Sequence, residues 1–124
     1  MCLAVYTGGT VSAPLAGRKY TVRVQFLSGK PAYGDGQGLD LVVVQSGNTY
    51  VLPLGDTTVK HHWKTLTFTG TLDASDFVAL TPTGYVTAAP DLTSGTALEL
   101  GISAWNAGSN PVVNDYDNIA ITIE

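Results

Sequence analysis

The feature that most constrains this chain is a two-residue alternation that recurs in short runs. From Tyr20 to Leu27, the apolar Tyr20, Val22, Val24 and Phe26 alternate with Thr21, Arg23 and Gln25. Successive side chains of a strand point to opposite faces, so this run makes one apolar and one polar face and predicts a half-buried strand. The pattern returns from Trp63 to Leu72, where Leu66 and Phe68 stand between Thr65, Thr67 and Thr69. It returns again where Leu98, Leu100, Ile102 and Ala104 alternate with Glu99, Gly101, Ser103 and Trp105, and once more at Ile119, Ile121 and Ile123. No stretch carries the three-to-four spacing of a helix longer than a turn.

Between these runs lie the residues that end strands and build turns. Leu39 to Gln45 contains the unbroken Leu41, Val42, Val43 and Val44, which predicts a strand covered on both faces. Ser46, Gly47 and Asn48 turn it into Thr49 to Leu52, a hairpin that Pro53 to Asp56 is expected to break. Lys30 to Gly38 sets a proline and three glycines around Tyr33 and Asp35, and reads as a surface loop. Asn106 to Asn114 reads as another. Asp73 to Asp76 has the residues to start a helical turn, and one short strand is expected at Tyr85 to Ala88 inside a long connection.

A chain of 124 residues with 44% hydrophobic residues supports one domain with a core of its own. Only 13% of residues are charged and 14 are glycine, which points away from helical bundles. Seven or eight strands with no alternation of strand and helix predict an all-β fold, a two-sheet antiparallel jelly-roll sandwich. Six basic residues against ten acidic ones leave no field to hold a phosphate backbone, so no nucleic-acid partner is expected. No run approaches the roughly 20 apolar residues that span a bilayer, and no membrane partner is expected either. The single Cys2 excludes an internal disulfide and reads as a small buried hydrophobe. No apolar signal region precedes it, which argues against a lipid anchor.

Three segments carry a resemblance: Ala16-Gly17-Arg18-Lys19-Tyr20-Thr21-Val22, His62-Trp63-Lys64-Thr65-Leu66-Thr67-Phe68, and Tyr116-Asp117-Asn118-Ile119-Ala120-Ile121. In that order they resemble the galactose-binding-like jelly rolls used by many bacterial carbohydrate-binding modules, over roughly residues 14 to 124. The resemblance implies a secreted or cell-surface module that binds a poly- or oligosaccharide, with Trp63 in the core. It also implies a structural calcium ion with Asp117 as a ligand, although no other cofactor is required. Calcium takes six to eight oxygens, so the other reading of Asp117 is a carboxylate that bonds backbone amides at a strand start. Domains of this kind open on an Asn-Gly-Asp-Phe-Glu type strand that has no counterpart here. That strand lies beside the last one, so its absence predicts a bare sheet edge there, filled either by a homo-oligomer formed by strand-edge pairing or by another chain that supplies the missing strand.

Sugars are bound by flat aromatic faces and by planar amides, carboxylates and guanidinium groups. Trp105 is the first candidate, either as a platform beside small neighbours or as a cover on the end of the core. Asn106 and Asn110 lie in the adjoining loop. Tyr33 with Asp35 forms a second cluster, and Arg23, Gln25 and Asp40 are expected on the polar faces of their strands. His61 and His62 are neighbours whose side chains diverge on a strand, which argues against a shared metal. There is no nucleophile elbow, and no glycine-rich loop leads into a helix, so catalysis is not expected. The expected function is non-catalytic carbohydrate binding. The alternative is a structural or assembly module of a surface or phage protein that binds protein through its sheet edge or face.

Overall fold

The alternating runs become strands in the computed structural model, which describes residues 2–12, 14–28, 37–56, 63–81, 84–93, 97–106 and 114–124. The side chains of 2–9, 26–28, 37, 38, 56, 85, 104–106 and 114–116 are not among what it describes. The strands are β1 (Cys2–Val11), β2 (Lys19–Ser28), β3 (Gln37–Gln45), β4 (Asn48–Asp56), β5 (Lys64–Thr71), β6 (Val78–Thr81), β7 (Gly84–Val86), β8 (Leu98–Asn106) and β9 (Asn114–Ile123). One three-residue 3₁₀ turn, Ala74–Asp76, is capped by Asp73, whose carboxylate accepts the Ser75 N–H at 2.9 Å. The helical start expected at Asp73 is therefore present, and it ends after one turn.

The strands form two antiparallel sheets, ordered β1-β8-β3-β4-β6-β7 and β5-β2-β9. The fold is an all-β, two-sheet sandwich. Its core lies between Tyr20, Val22 and Val24 of β2 and a facing layer of Leu39, Leu41 and Val43 (β3), Leu52 (β4), and Leu98, Leu100 and Ile102 (β8). Leu66 and Phe68 of β5 and Ile119, Ile121 and Ile123 of β9 pack against this core from strands with one open edge, and stay half-buried. Alternation thus fixes which face of each strand is inward.

The hairpin β3–β4 turns on Ser46 and Gly47, both at positive φ (51° and 79°), the geometry of a type I′ turn. Pro53 does not end β4 as expected. The strand runs on to Asp56, with a bulge between Leu39 and Asp40 that absorbs the irregularity. Proline is tolerated because β6 pairs only with Thr49 to Val51, so no partner on that side needs an N–H from Pro53. The short strand β6 lies in the segment read as a connection, and β7 falls at Gly84–Val86 near the strand expected there.

Although the family's opening strand has no counterpart, the chain begins with a strand of its own. β1 pairs along β8 from Cys2↔Asn106 to Val11↔Leu98, so β8 has a partner on both sides. The last strand, β9, beside which the missing opening strand would lie, pairs among the described residues only with β2.

One end of the sandwich is tied by backbone bonds between connections. Leu15 and Ala16 donate to the carbonyl of Leu92, Gly17 donates to Leu72, and Leu72 donates back to Arg18. Gln45 seals the same end from the β3–β4 turn by exchanging two 2.7 Å bonds with the Asp91 backbone. At the opposite end stand Ser28, Gln37, Asp56, Lys64, Asn106 and Asn114, where the joining segments begin and finish. Those segments hold Tyr33, Asp35, His61, His62 and Asn110, which lie outside the described residues.

Candidate functional site

The sequence-derived candidates separate onto the outer faces of two different sheets. On the three-stranded sheet, burial of Tyr20, Val22 and Val24 turns Thr21, Arg23 and Gln25 outward. On one side these pair with β5, as Thr21↔Thr69, Arg23↔Thr67 and Gln25↔Thr65. On the other they pair with β9, as Thr21↔Thr122, Arg23↔Ala120 and Gln25↔Asp117. Arg23, Gln25 and Asp117, singled out separately in the sequence, are thus brought together.

The face they share is polar and regular. Thr65, Thr67, Thr69 and Thr71 are exposed along β5, a row about 20 Å long at strand rise. Arg23 stands in the middle row between Thr67 and the small Ala120, exposed. Beside it β9 carries a bulge, the register shifting between Arg23 and Gln25. Asn118 takes positive φ (50°) there, a conformation that asparagine tolerates better than most residues. The bulge brings the Asn118 amide against Gln25, donating from Nδ2 to Oε1 at 2.6 Å. Two planar amides are thereby locked to each other, with hydrogen-bonding capacity left over on both.

Trp63 completes this face. It stands one residue before β5 and two before Thr65, and it is 49% exposed. The core role implied by the family resemblance is therefore corrected. Position 63 lies just beyond the last pair of the β2–β5 ladder, Phe26↔Lys64, and shares the parity of the exposed Thr65, Thr67 and Thr69, on the face turned away from the core. The sequence reading missed both Trp63 and Asn118 as site residues. The signal for Trp63 was its register with the outward threonines; for Asn118 it was an asparagine inside an otherwise β-branched strand.

Asp117 is exposed and its Oδ1 accepts the N–H of Asn118 at 2.9 Å, which is the amide-bonding reading of this carboxylate. Among the described residues there is no group of three His, Cys, Asp or Glu side chains close enough to hold a metal ion.

The other candidates belong to the six-stranded sheet. Asp40 does not project into solvent as expected. It is 3% exposed on the face of β3 that points away from the core, beside the fully buried Val42, and it accepts the hydroxyl of Ser103, itself 1% exposed, at 3.0 Å. Burial pushes the Asp40 carboxyl up to about 6, and the Ser103 bond opposes the shift in part. Gly101 is buried with Ser103, so this part of β8 offers no open surface next to Trp105. Position 105 pairs with Leu3 and Gly38, and Asn106 with Cys2 and Gln37. The side chains of both are among those not described, as is that of Cys2.

Comparison with known proteins returned no match: no family model, curated protein or solved structure is similar to this chain.

Proposed function

We propose that this chain is a non-catalytic carbohydrate-binding module whose ligand lies along the outer face of the three-stranded sheet. The observation that carries this reading is the half-exposed Trp63, two residues before an exposed row of threonines, together with the Gln25–Asn118 amide pair. A large aromatic left outside the core loses favourable burial, which a ligand stacked on it restores. Sugar rings present an apolar C–H face to such an indole and hydroxyls around their rim. The amides, Arg23 and the threonine hydroxyls supply donors and acceptors on one face, and the length of the row suits a chain of several sugar units better than a single ring. Asp117 adds an acceptor at the same end as Gln25.

In affinity gel electrophoresis against a series of soluble polysaccharides, the native chain is expected to be retarded by at least one of them. Arg23→Ala and Gln25→Ala should each restore mobility in part. Unretarded migration in every polysaccharide would count against the reading. The alternative, an assembly module, draws support from a separate feature, the outer edge of β5.

A further inference from the structure

A sandwich of open sheets has to protect its edge strands, because their unpaired N–H and C=O groups recruit other chains. Of the four sheet edges among the described residues, three are protected by recognisable devices. β1 is broken by a bulge between Thr7 and Gly9, and β7 has only three residues. β9 carries the bulge at Asn118 together with Asp115 and Asp117. β5 has none of these. Its eight residues pair with β2 without a register shift, contain no proline, and carry one charge, Lys64, at the first position. Among the described residues no strand pairs with its outer edge, and the core-facing Leu66 and Phe68 remain half-buried beside it.

We infer that β5 is a self-association edge, pairing antiparallel with β5 of a second copy about a two-fold axis at Thr67. A two-fold perpendicular to the sheet keeps inward residues opposite inward ones, so paired positions share parity. Centred on Thr67, the register sets Thr67 opposite Thr67, Thr65 opposite Thr69, and Leu66 opposite Phe68 of the second copy. Lys64 falls opposite Gly70, so no like charges meet. Threonine–threonine and aromatic–aliphatic cross-strand pairs are favourable on an antiparallel ladder. The same strand is thus complementary to itself, which selects a second copy over a strand of different sequence. The product is a continuous sheet, β9-β2-β5-β5-β2-β9, with the apolar sides of both copies still facing their own cores.

Sedimentation velocity on the unmodified chain, from low micromolar to near-millimolar concentration, tests this without reference to any sugar. The mass is expected to rise from 13.0 kDa toward twice that value. Thr67→Lys and Thr67→Glu place like charges face to face at the axis, and each should weaken dimerisation at least tenfold. An equimolar mixture of the two should regain it as a heterodimer. Amide exchange on the native chain gives a reading that needs no variant: β5 amides should gain protection with concentration while β9 amides do not. A mass that stays at the monomer value throughout, a dimer indifferent to both variants, or β5 protection independent of concentration would each overturn the inference.

Discussion

Asp40 is a carboxyl group held almost wholly out of water, and replacing it with asparagine tests that placement quantitatively. The folded chain holds its pKa at about 6, against 3.8 for the unperturbed group, because burial disfavours the charged form more than the Ser103 hydroxyl favours it. A group with a raised folded pKa binds its proton more tightly when folded. Its stabilisation is therefore complete below pH 3.8 and is lost as pH rises through 6. The difference of about two pKa units corresponds to at most about 3 kcal/mol at 1.36 kcal/mol per unit, and to about 2 kcal/mol after allowing for relaxation and partial solvation of the charge. For a domain of this size that is roughly 10 °C in Tm. Asp40→Asn removes the titration and keeps an oxygen that accepts the Ser103 hydroxyl. Thermal unfolding of both proteins from pH 4 to pH 8 should therefore give a difference curve that moves in favour of the variant by about 2 kcal/mol, with its midpoint between the two pKa values. Other carboxylates cancel in the difference. Parallel curves would mean that Asp40 titrates like a solvated aspartate, and the buried polar pair on the far face of β3 would be refuted.

Three further outcomes follow from packing and turn geometry. At Gly70 an added Cβ would lie 2.5 Å from the Tyr20 hydroxyl and 2.8 Å from its ring, so Gly70→Ala should cost about 1–3 kcal/mol in urea unfolding, with partial recovery in the double variant with Tyr20→Phe. Gln45→Ala deletes both bonds to the Asp91 backbone at the tied end and should cost about 2 kcal/mol, seen as a lower urea midpoint at unchanged slope. Ser46→Asn places a residue that tolerates positive φ at the first corner of the type I′ turn, and should raise Tm by a few degrees, corresponding to about 0.5 kcal/mol.

What the sequence discloses depends on how local the cause is. The faces of β2, β5, β8 and β9 were legible because each alternates over several residues, and one register decision settles all of them. β6 was not, because four residues next to Pro82 carry too short a pattern to separate from a connection. Pro53 was over-read: whether a proline stops a strand depends on which neighbour needs its N–H, and that is decided by where β6 pairs. Asp40 was misplaced although the clue was present. The unbroken run Leu41 to Val44 implied cover on both faces, and Asp40 shares its face with Val42. The motif likeness points Trp63 to the core, yet it shares the parity of the outward Thr65, Thr67 and Thr69, and that register leaves it exposed. Arg23, Gln25 and Asp117 were each visible, but their convergence required the pairing of β2 with β9, a contact between residues almost a hundred positions apart.

The central claim is that a sugar chain lies on the face marked by Trp63. A glycan array probed with the native chain, Trp63→Ala and Trp105→Ala tests it most directly. The account predicts binding by the native chain, its loss in Trp63→Ala with Tm unchanged, and its retention in Trp105→Ala. An array with no binding, or binding that survives removal of Trp63, would contradict it.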